Sequence, residues 1–256
     1  MRDMVGDADG KGCTSLGADA RCPDGARRID AAGLTVAPGF VDIHCHFRDP
    51  GFTYKEDLHT GALCAAAGGF TTVVCMANTS PAMDSPELVR EFASKAAAEK
   101  IEVLTVGAIT RGLAGKELVD MKALLDAGAV GFSDDGKPLM DAGLVLRAMR
   151  TAREAMVPLS FHEEDPSLIA ANGVNATSPH IAEDVLVARD IELALATGAK
   201  VNIQHLSSAA SVDLLRQGKR RGASVFAEVA PHHFSLTEDA LRRFGSDAKM
   251  NPPLRT

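Results

Sequence analysis

Nowhere does the 256-residue chain approach the roughly 20 consecutive apolar residues that crossing a bilayer requires, so no membrane span is expected. Its first residues lack the charged-then-apolar pattern of a secretory leader. Positive charge is in short supply: 27 Lys and Arg stand against 34 Asp and Glu, and the resulting net charge of −7 argues against a nucleic-acid or anionic-membrane partner. The five cysteines (Cys13, Cys22, Cys45, Cys64 and Cys75) are odd in number and form no C-x-x-C pair, so free thiols in a reducing cytoplasm are expected. There is no low-complexity linker and no sequence repeat. What remains is ordinary for a globular protein: 46% apolar and 24% charged residues, in a length that fits one α/β barrel or one large domain with a small appendage.

Two regions differ in texture. Residues 1–33 are rich in Gly, Asp and Ala without sustained periodicity, and short apolar pieces at Thr14 to Leu16 and Arg28 to Ile29 read as fragments of a small β unit. Residues 34–256 alternate strand-like and helix-like segments. Strands are predicted at 39–47, 71–76, 102–109, 130–133, 159–162, 201–205 and 224–229, with helical patterns between them at 86–100, 116–127, 143–156, 181–197 and 209–221. Ser85 followed by Pro86 is a helix start, and Gly128, Gly198 and Gly222 fall where helices end. This alternation predicts a parallel sheet covered by helices. A closed barrel is favoured over an open sheet because metal-ligand residue types recur at strand C-terminal ends, which converge only in a barrel.

The most informative run is Val41-Asp42-Ile43-His44-Cys45-His46-Phe47-Arg48-Asp49-Pro50-Gly51. Residues two apart on a strand share a face, so His44 and His46 project together and Cys45 points away. Two imidazoles suit a divalent transition metal, although H-x-H alone equally describes two surface histidines. Further ligand types end later strands, in Ser133-Asp134-Asp135-Gly136, Phe161-His162-Glu163-Glu164 and Gln204-His205. Four histidines and a carboxylate exceed what one catalytic metal with an open position needs, so a binuclear centre is inferred.

With Gly68-Gly69-Phe70-Thr71-Thr72-Val73-Val74-Cys75-Met76-Ala77-Asn78-Thr79 and Met250-Asn251-Pro252-Pro253-Leu254-Arg255 added, residues 34–255 resemble the bacterial dihydroorotases related to those that associate with aspartate transcarbamoylase. The resemblance implies a TIM-like (β/α)8 metal-dependent hydrolase barrel, with strand eight missing from this chain and residues 1–33 a remnant of a small N-terminal β-sandwich. It implies two zinc ions per subunit on His44, His46, Asp135, His162 and His205. The carboxylate fits Asp135 better than Asp134, through the 27-residue interval to His162, and Asp134 is the alternative. Lys137 is a rival bridge, because hydantoinases use a carboxylated lysine there, but it lies beyond Gly136 without apolar surroundings. Arg48, Asn78 and Asn251, with His46, are implied as substrate contacts.

The implied reaction is reversible hydrolysis of dihydroorotate to N-carbamoyl-L-aspartate in pyrimidine synthesis. The family's general-base aspartate and a following substrate-binding histidine belong to a strand-eight segment expected after Thr256. This chain alone is therefore expected to be weakly active or inactive. A homodimer and aspartate transcarbamoylase are the expected protein partners. Hydantoinase or allantoinase activity, and a non-catalytic scaffold supporting aspartate transcarbamoylase, are the competing readings. His59 and His180 are expected on the surface. His232 and His233 near the mouth are expected to be structural.

Overall fold

The computed structural model describes residues 3–6, 13–17, 20–21, 24–27, 29–171 and 178–256. The chain divides into two compact units, Met1–Pro38 and Gly39–Thr256. In the first, β1 (Asp3–Gly6) pairs antiparallel with β2 (Cys13–Gly17), with Met4 opposite Leu16. The apolar piece at Thr14 to Leu16 thus lies in a strand. Ile29 lies outside any strand or helix, and Arg28 falls outside the described residues.

The second unit is a parallel array of seven strands: β3 (Phe40–Cys45), β4 (Phe70–Cys75), β5 (Glu102–Thr105), β6 (Phe132–Ser133), β7 (Leu159–Phe161), β8 (Val201–Ile203) and β9 (Val225–Ala227). Two ladders, β3-β4-β5 and β6-β7-β8-β9, are joined by a parallel bridge from Gly107 to Phe132. At that bridge Ser133 N–H donates to the Gly107 carbonyl at 2.9 Å. Only glycine fits at 107: a Cβ there would lie 2.5 Å from Leu124 Cδ2 and 3.0 Å from the Phe132 ring. Strands β3, β5, β7, β8 and β9 end before the predicted runs do, β6 starts later than predicted, and β4 has the predicted length.

Helices separate the strands, as the alternation predicts. They are α1 (Leu58–Ala67), α2 (Pro86–Ala96), α3 (Met121–Asp126), α4 (Ala142–Glu154), α5 (Pro166–Ala171), α6 (His180–Thr197) and α7 (Ala209–Arg220), followed by the short α8 (Pro231–Ser235) and α9 (Asp239–Phe244). Their starts are local chemistry. Ser85 accepts from Leu88 N–H, Asp120 from Ala123 N–H, and Asp141 from both Gly143 and Leu144 N–H, each satisfying an orphan donor of a first turn. Gly198 closes α6 at φ 69°, a left-handed cap that a side chain would strain. No helix among the described residues is long and apolar enough to cross a membrane.

The core lies between the inner strands and their helices, with Leu159, Val201 and Ile203 wholly buried. The outermost strands differ. On β3, Phe40, Val41 and Ile43 are 62, 60 and 51% exposed, and Phe226 on β9 is 54% exposed. Among the described residues neither strand has a partner on its outer side.

Candidate metal centre

Strands β3, β4, β6, β7, β8 and β9 each lead to a side chain at one mouth. His44 is the fifth residue of β3, and His46 follows the strand's end on the same side; their rings lie 5.2 Å apart. Cys45, between them, turns the other way and packs against β4, with Sγ 3.5 Å from the Val74 carbonyl and 3.7 Å from Cys75 Sγ. Asp135 follows β6, His162 follows β7, and His205 lies two residues past β8. His205 sits at φ 34°, the left-handed region, and Gly136 at φ 77° turns the chain away directly after Asp135.

Asp135 is the centre. Its Oδ1 lies 3.4 Å from His44 Nε2, 3.7 Å from His162 Nδ1 and 3.6 Å from His205 Nε2, while Oδ2 lies 3.4 Å from His46 Nε2. Two candidate metal groups result, His44–His46–Asp135 and Asp135–His162–His205, sharing the one carboxylate. Donors held at about 2.0–2.1 Å by a tetrahedral ion stand about 3.3 Å from one another, so these spacings suit cations lying between the groups. Two further features fit. Asp135 Oδ1 is buried without a hydrogen-bond partner among the described residues. His162 Nδ1 and His205 Nε2 face each other at 2.9 Å, a contact that requires a proton or a cation between the two lone pairs.

Behind this ring a second set of groups fixes three imidazoles. The Glu228 carboxylate accepts from His44 Nδ1. Asn78 Oδ1 accepts from His46 Nδ1 at 3.0 Å, and its amide donates to Asp135 Oδ2 at 3.0 Å. Glu164 lies 3.2 Å from His162 Nε2. An imidazole whose far nitrogen is held presents its near nitrogen in one orientation, the usual arrangement around metal-binding histidines. His205 Nδ1 has no such partner among the described residues. Glu228 directly follows β9, so its bond to His44 joins the two outermost strands at the mouth.

The electrostatics follow from this packing. Burial would lower the His44 pKa, but Asp135 and Glu228 outweigh it and raise it to about 10. Burial is likewise outweighed at His162 by Asp135 and Glu164, which lift it to about 9. At His46 burial prevails, helped by Arg48 and His44, and the pKa falls to about 4 despite Asp135. Asp135 itself is held far below the ordinary carboxylate range, because the surrounding imidazoles more than offset its burial.

A cavity of about 370 Å³ opens over these groups, and Arg48, Asn78, Glu164, Ile169 and Asn251 share its lining with His46, His162 and His205. Arg48 does not pair with Asp49, which faces Lys95 at 3.6 Å. Asn78 reaches the cavity, yet both ends of its amide are engaged by His46 and Asp135. Asp134 is turned away from the mouth: its Oδ1 accepts from Ile109 N–H at 2.7 Å and Thr110 N–H at 3.1 Å, and the Thr110 hydroxyl takes Oδ2. Lys137 is exposed. His232 and His233 meet edge-on at 4.4 Å on α8, and His233 Nε2 donates to the Pro252 carbonyl at 2.9 Å. His59 pairs with Glu99, and His180 with Asp184.

Glu228 and Glu164 escape sequence reasoning, the first because its partner lies 184 residues away. The acidic doublet Glu163-Glu164 beside His162 is the one local signal for the second.

Comparison with known proteins places this geometry. Residues 33–211 match a family model described as dihydro-orotase-like. The chain is 58% identical to a dihydroorotase of Clostridioides difficile, aligning over 89% of its own length and 56% of the relative's. It is 53% identical to a dihydroorotase of Clostridium acetobutylicum, over 96% and 61%. The chain thus spans about three fifths of the length of the curated relatives it matches. Among solved structures it resembles an L-hydantoinase from Arthrobacter aurescens, with TM-score 0.82, 24% identity and 96% and 58% coverage. It also resembles a D-hydantoinase from a Thermus species, with TM-score 0.78, 26% identity and 99% and 60% coverage. The fold is therefore the TIM-like α/β barrel of metal-dependent amidohydrolases.

Proposed function

The chain belongs to the dihydro-orotase-like family, and from that premise we propose that the protein of which it forms most of the barrel hydrolyses dihydroorotate reversibly to N-carbamoyl-L-aspartate. The observation that carries this reading is Asp135 shared between two histidine pairs beneath a cavity that Arg48 also lines.

Zinc, two ions per subunit, is the proposed cofactor, held by His44, His46, Asp135, His162 and His205. When bound, the ions supply Lewis acidity: they polarise the ring carbonyl and lower the pKa of water from 15.7 toward about 7. The protein's own groups do the rest. Glu228, Asn78 and Glu164 keep three imidazoles aimed forward. Arg48 binds the substrate carboxylate, for which a planar guanidinium offers forked hydrogen bonds. Asn251 contacts the ring. Asn78 is assigned first to orienting His46 and Asp135, and through them to the substrate. The proton for the leaving nitrogen is assigned to an aspartate outside these 256 residues, and the substrate-binding histidine likewise.

Likeness to hydantoinases supports the fold, whereas identity of 58% to a dihydroorotase and an exposed Lys137 support this ring and this bridge. The proposed assembly is a homodimer in the cytoplasm, with aspartate transcarbamoylase as the candidate protein partner. The deciding experiment compares turnover of dihydroorotate, hydantoin and allantoin by the zinc-loaded full-length protein. Preference for dihydroorotate is expected, and preference for hydantoin would replace the reading. Loss of dihydroorotate binding in Arg48→Met would support the carboxylate assignment.

A further inference from the structure

Glu183 lies on α6, outside the metal ring, and is only 2% exposed. Its carboxylate is nonetheless fully engaged. It accepts from Ser207 N–H at 3.1 Å, from the Ser207 hydroxyl, and from Ser208 N–H at 3.0 Å. Those three donors belong to one short connection from β8 to α7, which carries His205 in its left-handed conformation. Such a conformation in a residue with a side chain persists only where its surroundings over-determine it. Among the described residues His205 is also the histidine of the ring whose far nitrogen meets no partner, so its aim is set by the backbone that carries it.

The same carboxylate faces a second element. Arg255 Nη2 lies 4.0 Å from Glu183, Arg255 Nε donates to Ser207 Oγ at 3.0 Å, and its other arm donates to the Ser178 carbonyl. Arg255 ends the Asn251–Arg255 run, whose Asn251 lines the same cavity as His205.

We propose that Glu183 is a positioning residue: one buried carboxylate holds the His205 turn and, through Ser207 and Arg255, the Asn251 segment, so that a metal ligand and a substrate-facing side chain are set from a common point. The Asn251 half rests on the dihydroorotase reading, and the His205 half rests on the geometry alone. A carboxylate is required because both oxygens accept. Glutamine would turn an amide donor against a hydroxyl or an N–H, and aspartate is one methylene short.

The test uses the full chain with Glu183→Gln, Glu183→Asp and Ser207→Ala. Metal affinity is read by chelator competition with zinc, and ligand geometry by the visible absorption of the cobalt-loaded protein. Glu183→Gln should weaken one of two ions about 10–100-fold, the range for groups that orient a metal ligand. It should shift the cobalt bands with secondary structure retained, and raise KM for dihydroorotate more than it lowers kcat. Unchanged affinity for both ions with an unchanged cobalt spectrum would overturn the proposal. If Glu183→Gln does not fold, Ser207→Ala decides by the same two readouts, wild-type behaviour again overturning it. Weakened metal binding in a family of variants whose parent does not hydrolyse dihydroorotate would leave the His205 half standing and remove the functional reading.

Discussion

The two halves of the metal ring are built differently. His162 and His205 rise from β7 and β8, inner strands paired on both sides, with buried backbones and Glu183 and Glu164 behind them. His44 and His46 rise from β3, an outermost strand, and are held by side chains reaching from elsewhere: Glu228 after β9 and Asn78 after β4. One half is placed by the scaffold, the other by long-range side-chain bonds. A site on an edge strand has no ladder on one side to fix its register, so it needs such outside support.

Asp135 belongs to both halves, and its removal should have the largest effect. Asp135→Ala is expected to lose at least one metal outright and to weaken the other, since no neutral side chain replaces a carboxylate between two cations. Elemental analysis after gel filtration checks it, and a variant retaining both ions would break the idea of a shared ligand. Next comes Glu228→Gln, expected to cost about 10–100-fold in the affinity of the His44–His46 group alone. Titration with a chelator resolves the two ions; equal weakening of both would mean that the halves are not independent.

A smaller and more diffuse effect is expected from pH. His44, raised to about 10, and His162, raised to about 9, are protonated in the metal-free protein at neutral pH, one in each half. A ligand must lose its proton to bind, so zinc loading at pH 7.5 should release about two protons per chain, measurable in weak buffer. Metal affinity should fall as pH falls. For the metal-free protein the sign is opposite. Raised histidine pKa values stabilise the fold fully below about 6.5, and that stabilisation is lost as pH rises through 9 to 10. Thermal unfolding of the chelated protein across that range checks it. Least affected should be Lys137→Ala, which is expected to keep both metals because the side chain is exposed. Metal loss there would restore the carboxylated-lysine bridge.

The legible part of this molecule is the local part. Apolar runs bounded by Ser85, Gly128 and Gly198 mark helices and strands through nearest-neighbour chemistry, and H-x-H sets two imidazoles on one face through the strand's period of two. The choice between Asp134 and Asp135 is not local: it depends on Ile109 and Thr110, two dozen residues upstream, which take Asp134 for themselves. Strand ends are blurred for a related reason. Glu102 to Ile109 reads as one strand, yet its regular ladder ends at Thr105; beyond it Gly107 keeps only a bridge to Phe132, and Ile109 N–H turns to Asp134. Glu228 and Glu183 carry no motif, and Glu164 has only its place in the doublet beside His162. Each is an acidic residue in an unremarkable context until the barrel brings its partner within reach.

The anchoring of Asp134 by two backbone amides and the Thr110 hydroxyl has a kinetic side. A ligand loop tied to its neighbour in this way keeps its shape when the ion departs, so chelation should strip the metals without collapsing the mouth. Reloading would then be a bimolecular capture into a waiting cup, its rate set by zinc concentration and by departure of the histidine protons, with no folding step in series. Small zinc domains whose ligands are assembled only by the ion work the other way, unfolding as they empty. Here emptying and refilling would be a reversible exchange, the fold persisting through both.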